Sequence, residues 1–184
     1  MNERLRQERQ DNVAAYVVRM WHLEDVLRAV QFDPEAIRTR LVEPMDVDDE
    51  QKHLAQAWYT DLAERMVREG LSRQGHLPEV NEAITDLEAL HNALLNVLED
   101  PAYVRRYMDA REDIDSLNRQ REDEEPVGVV ETCFTGLYGV MLLRAQGRAV
   151  SEATRAADGR IRALLESLST HYRHMRKLPG VSLN

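Results

Sequence analysis

Apolar side chains return every three or four positions along almost the whole chain, and no alternating β-branched run interrupts them, so helix is predicted throughout. From about Glu3 to Gln31, Val13, Tyr16, Val17, Met20, Leu23, Leu27 and Val30 share one stripe of a long first helix. Asp33 before Pro34 supplies an N-cap and a first-turn proline for a short second helix, which the Glu43-Pro44 step ends. Asp48, Asp49 and Glu50 open a third helix that carries Leu54, Trp58, Leu62 and Met66 inward and closes near Gly70. Pro78 begins a fourth, with Val80, Ile84, Leu87, His91, Leu94 and Leu98 aligned. Asp100-Pro101 begins a fifth, with Tyr103, Tyr107, Ile114 and Leu117, which runs into the charged stretch Arg119 to Glu125, read as a solvated end and loop. Val127 to Leu143 is apolar nearly all round, and Ser151 caps a last helix through Ile161, Leu164, Leu165, Leu168, Tyr172 and Met175. The expected fold is an all-α, single-domain bundle over residues 1–184, with about seven helices packed around the central segment Val127 to Leu143.

That central segment is the most informative. A helix apolar on most of its circumference has to be enclosed by others. One face of it is small: projection at about 100° per residue puts Gly128, Thr132, Thr135, Gly136 and Gly139 side by side, a groove that admits another helix closely, within the core or across a dimer seam. Its one charge before Arg144, Glu131, projects between Tyr138 and Leu142 and is expected to be buried or nearly so. Two further polar residues interrupt apolar stripes: Glu24 among Val17, Met20 and Leu27, bordered by Trp21 and Asp25, and His91 among Leu87, Leu94 and Leu98. Isolated buried charge is costly, so such groups must find partners, and Glu24, His91 and Glu131, with Trp21, Asp25 and Tyr138 in support, form the candidate polar cluster. It would be either a structural network or a site for a small polar ligand or a divalent metal; no other cofactor is predicted. Two Glu-x-x-His pairs, Glu50 with His53 and Glu88 with His91, have di-iron spacing, but His53 and Glu88 project off their apolar faces. His76, in Gly75-His76-Leu77, reads as a cap or backbone ligand near the start of the fourth helix, and Cys133 as an inert core thiol.

Composition narrows the function classes. The 184 residues are 43% hydrophobic and 31% charged, with a net charge of −9, which disfavours nucleic acid and anionic membrane surfaces as partners. A lone cysteine and an opening without an apolar stretch point to a cytoplasmic protein. Phosphate-binding loops, nucleophile elbows and Cys-x-x-Cys pairs are absent from the sequence, so no catalytic residue is assigned.

The strings Met20-Trp21-His22-Leu23-Glu24-Asp25, Gly75-His76-Leu77, Asp86-Leu87-Glu88-Ala89-Leu90-His91 and Glu131-Thr132-Cys133-Phe134-Thr135-Gly136-Leu137-Tyr138-Gly139-Val140 resemble a bacterial domain-of-unknown-function family numbered 4924, across nearly the whole chain. The resemblance implies one helical domain of this length and carries over neither an activity nor residue roles. Two functional readings follow: a non-enzymatic helical module that binds a protein partner or itself as a homodimer, or a small-ligand or metal-binding protein, enzyme included, built on the Glu24, His91 and Glu131 cluster.

Overall fold

The long N-terminal stripe is two helices. In the computed structural model, which describes residues 3–120 and 127–176, α1 (Glu3–Asp11) stops at Asn12. The Asn12 backbone leaves the helical region (φ −149°, ψ 85°) and its side chain accepts a hydrogen bond from the Ala15 N–H at 3.1 Å, so it caps α2 (Val13–Ala29). Apolar periodicity runs through the break because Leu5 on one side and Val13 on the other bury into the same core. The signal missed was the asparagine, a residue that competes with the helix for its own backbone.

The other starts lie near the expected ones, with two differences: Asp48 is the N-cap of its helix and not a first-turn acid, and the central helix begins at Val129, not Val127, with Gly128 as its N-cap. Asp33 accepts from the N–H groups of Glu35 and Ala36 ahead of α3 (Pro34–Ile37), which continues as a π-helical turn over Arg38–Val42. Asp48 caps α4 (Asp49–Arg68), closed by Gly70 in the left-handed region at φ 75°. Pro78 opens α5 (Pro78–Asn96), Asp100 caps α6 (Pro101–Arg119), α7 spans Val129–Ala145, and Ser151 accepts from the Thr154 N–H ahead of α8 (Glu152–Arg176). The described residues thus form an all-α bundle of eight α-helices and one π turn. The expected charged loop, beyond Gln120, lies outside the described residues.

α7 is packed by α2, α5, α6 and α8, and buries Val130, Cys133, Phe134, Leu137, Tyr138 and Val140 on nearly every side. It is not the sole hub. α8, amphipathic and 25 residues long, reaches α1 and α2 as well as α5, α6 and α7, through Ile161, Leu164, Leu165, Leu168 and Tyr172. Length lets one apolar stripe serve several neighbours in succession. Two residues expected inside are outside. Leu98 is 65% exposed because α5 has already ended at Asn96, and helical phase extrapolated past that end has no meaning. Leu54 is 63% exposed because α4 rests on α3 and the π turn and enters the core only at Leu62, Ala63 and Met66. Among the described residues, no helix is long and apolar enough to cross a membrane.

Candidate functional site

Glu24 is fully buried, and it faces the end of the α4–α5 loop. His76 Nδ1–H donates to Glu24 Oε2 at 2.5 Å, and the backbone N–H of Leu77 donates to Oε1 at 2.9 Å. Leu77 occupies the N-cap position of α5 but offers no side-chain cap, so a carboxylate from α2 holds the start of α5 instead. The rest of the site fastens the same loop. The His76 ring stacks on Trp21 (centroids 4.5 Å apart, planes 5° from parallel), and Tyr138 meets Trp21 edge-on at 5.7 Å. Tyr138 Oη donates to Asp25 at 2.7 Å, Asp25 pairs with Arg28 at 2.9 Å, and Arg28 donates to the carbonyls of Leu71 and Gly75. Burial and the Asp25 carboxylate push the Tyr138 hydroxyl well above its ordinary range, so it remains a donor. Trp21, Glu24, Asp25 and Tyr138 are therefore one cluster, and His76 and Arg28, which lie off the apolar stripes, join it.

His91 lies elsewhere. It is buried between α5 and α6, and its Nδ1 shares a 2.6 Å hydrogen bond with the hydroxyl of the fully buried Tyr103. Tyr107 packs edge-on at 5.1 Å, and His171 of α8 meets Tyr103 at 6.0 Å. Burial pushes the His91 imidazole down to about 4, keeping it neutral, and pushes the Tyr103 hydroxyl far up.

Glu131 is half-buried in the first turn of α7, where a carboxylate complements the exposed N–H groups of the helix start. The three polar residues expected to converge therefore do not share a partner: Glu24 serves the loop before α5, His91 serves α6, and Glu131 stays at its own helix end. Among the described residues no three His, Cys, Asp or Glu side chains are grouped so as to hold a metal. Helical phase fixes which way a side chain points around its axis, but not its height along the bundle.

The small face of α7 is used in parts. Gly128 is the N-cap of α7, without a side-chain cap of its own, and Glu88 of α5 fills the role: its Oε2 accepts from the Val130 N–H at 2.9 Å and its Oε1 from the Val129 N–H at 3.3 Å. A Cβ on Gly128 would stand 2.4 Å from that carboxylate, so glycine is what admits the cap. Thr132 is buried and donates to Asn118 of α6 at 2.8 Å, and Gly136 admits the Leu117 side chain, which would lie 2.7 Å from an added Cβ. Thr135 and Gly139 do not belong to this seam: Thr135 is exposed, bonding back to the Glu131 carbonyl, and a Cβ on Gly139 would meet no neighbouring group within 4 Å. Between α6, α7 and α8 lies a cleft of about 320 Å³ lined by Leu117, Gly136, Val140, Ala157, Asp158 and Ile161. The di-iron spacings dissolve too, since Glu50 and His53 are exposed while Glu88 caps α7. Cys133 is buried, and burial pushes its thiol up to about 12.

A second, larger cleft of about 400 Å³ opens between α2, α7 and α8 below the Asn12 break. Its walls are apolar along Ala14, Ala15, Val18, Leu137, Met141 and Leu165, and Glu8, Arg19, His22, Arg144, Arg162 and Glu166 stand among them. Asp158, buried on α8, accepts from Arg144 at 3.0 Å and from Arg162 at 3.3 Å. Neither cleft is lined by Glu24, His76 or His91.

Ser169 completes a pattern. Buried on α8, its Oγ accepts from the Ala14 N–H at 3.1 Å, in the first turn of α2. Ser169, Glu24 and Glu88 thus each supply from a neighbouring helix an acceptor at a helix start, for α2, α5 and α7 in turn. A polar residue inside an apolar stripe is, in Glu24, a tertiary cap. Neither the comparison with curated proteins nor that with solved structures gives a match. The model of a domain of unknown function (DUF4924) matches residues 5–178, and the chain belongs to that family.

Proposed function

We propose that the chain is a non-enzymatic helical interaction module that pairs with a second copy of itself or with another protein. The observation that carries this reading is that, among the described residues, each of five polar or charged residues that are buried is bonded within the fold, while the buried polar atoms left without a partner include the Tyr16 hydroxyl and the Trp21 indole N–H. Glu24 holds His76 and Leu77, His91 holds Tyr103, Thr132 holds Asn118, Asp158 holds two arginines and Ser169 holds Ala14. Burial here fastens helices to one another, and none of these five side chains is left without a bonding partner. The His76 imidazole, one-quarter exposed and oriented by a buried carboxylate, is the nearest approach to a general base, but it is stacked against Trp21 and lines neither cleft. Contact surface is available on α4, where the exposed Leu54 stands one turn from the half-buried Trp58.

Static light scattering across a range of concentrations tests the self-pairing form. The expected mass rises above 21.3 kDa with concentration and falls back in Leu54→Glu. A constant monomer mass removes self-pairing. A turnover activity lost in a folded His76→Ala variant would overturn the non-enzymatic reading altogether.

A further inference from the structure

The larger cleft carries a distribution of charge that pairing through α4 leaves unused. Its floor is apolar, from Val18 of α2, Leu137 and Met141 of α7 and Leu165 of α8. At its edge stand two guanidinium groups, those of Arg144 and Arg162, both held by Asp158, an acid that itself lines the smaller cleft. The Asp158 side chain is 6% exposed, while those of Arg144 and Arg162 are 48% and 49% exposed, so the acid lies inside and the cations at the surface. Each arginine gives one terminal nitrogen to Asp158, and its Nε–H and other terminal nitrogen have no acceptor among the described residues. A buried carboxylate that fixes two arginines from beneath lowers the cost of ordering them for a third party.

The net charge of this group says which third party fits. Asp158 cancels one of the two arginine charges, so the trio presents a single positive charge. Arg19 adds nothing to it, being held by Glu8 at 2.5 and 3.0 Å, and Glu166, the remaining acid of the lining, brings the cleft as a whole to neutrality, so the positive charge is local to the two guanidinium groups and suits one carboxylate, not a polyanion. A volume of about 400 Å³ is at the small end of the range for ligand pockets. We propose that this cleft binds a small monocarboxylate with an apolar chain, of the medium-chain fatty-acid type, its carboxylate on Arg144 and Arg162 and its chain over Leu137, Met141 and Leu165. The site is independent of pairing through α4.

The test is calorimetric titration of the full chain with decanoate below its micelle concentration, beside decanol and decylamine as neutral and cationic chains of equal length. Decanoate should bind saturably at one site, with decanol and decylamine each weaker by tenfold or more. Arg144→Gln and Arg162→Gln should each weaken decanoate about tenfold, the effect of one lost charge-assisted hydrogen bond. Because either change can also unsettle Asp158, Ala15→Phe provides a second variant: it fills the cleft, leaves the arginine–aspartate group intact and should abolish binding while the ligand-free protein melts cooperatively. Equal binding of decanol, tighter binding of decylamine, absence of saturation, or decanoate binding unchanged in Ala15→Phe would each overturn the proposal.

Discussion

Removing the Glu88 carboxylate tests whether α7 depends on a cap from another helix. In Glu88→Ala the N–H groups of Val129 and Val130 lose their acceptors at 3.3 and 2.9 Å, and the helix start loses a compensating charge. Cap losses of this kind cost about 1–2 kcal/mol, a fall in melting temperature of roughly 2–8 °C for a chain of this size. Gly128→Ala should reproduce most of that loss for an indirect reason. Its backbone angles (φ −64°, ψ 162°) suit any residue, but the new methyl would lie 2.4 Å from Glu88 Oε2 and displace it. The two changes therefore should not add. In the Glu88→Ala background, Gly128→Ala has nothing left to displace and should be neutral or stabilising by up to about 1 kcal/mol, since alanine restricts the unfolded chain. Urea denaturation of the four proteins gives the cycle. Additive losses, or a Glu88→Ala change within about 0.5 kcal/mol of wild type, would refute the cap.

Other expectations follow from the interior. His91 titrates near 4 when folded and near 6.5 when unfolded, so the unfolded chain takes up the proton first as pH falls. Its contribution is fully present above about 6.5, declines toward 4 by roughly 3 kcal/mol, and stops changing below that; His91→Gln should remove this share from a pH series of denaturation curves. Glu24→Ala leaves the Leu77 N–H without its acceptor and empties buried volume, so a loss of about 3–5 kcal/mol is expected, with faster amide exchange at Leu77 than at α8 core positions; unchanged exchange at Leu77 would contradict the tertiary cap. Tyr138→Phe deletes the 2.7 Å bond to Asp25 and should cost about 1 kcal/mol by thermal melting, while His76→Ala should alter Trp21 fluorescence by removing the ring stacked on it.

Helix identity was legible because the apolar repeat is long and the caps are explicit: Asp33, Asp48, Asp100 and Ser151 each mark a start that the structure uses. Asn12 was the exception, since a cap within a continuous apolar stripe leaves the repeat intact. For the candidate site, the phase of Glu24 and His91 identified them as facing inward, but phase carries no information about which neighbour lies at that height. His76 and Arg28 belong to the Glu24 site through a loop, where periodicity is silent; Gly75, in the left-handed region at φ 88°, was the one local sign that this loop is shaped to turn. Glu88 looked peripheral because it lies beside its own helix's apolar face, the position from which it reaches the end of another helix.

The borrowed caps have a consequence for cooperativity. The start of α2 relies on Ser169 of α8, the start of α5 on Glu24 of α2, and the start of α7 on Glu88 of α5. Each of these bonds spans a long stretch of chain, so a fragment that lacks the acceptor-bearing helix loses it, and only α2 keeps a local cap, from Asn12. Loosening α8 would propagate to α2, then α5, then α7, and the bundle should melt as one unit whose helices cannot be dissected into autonomous pieces.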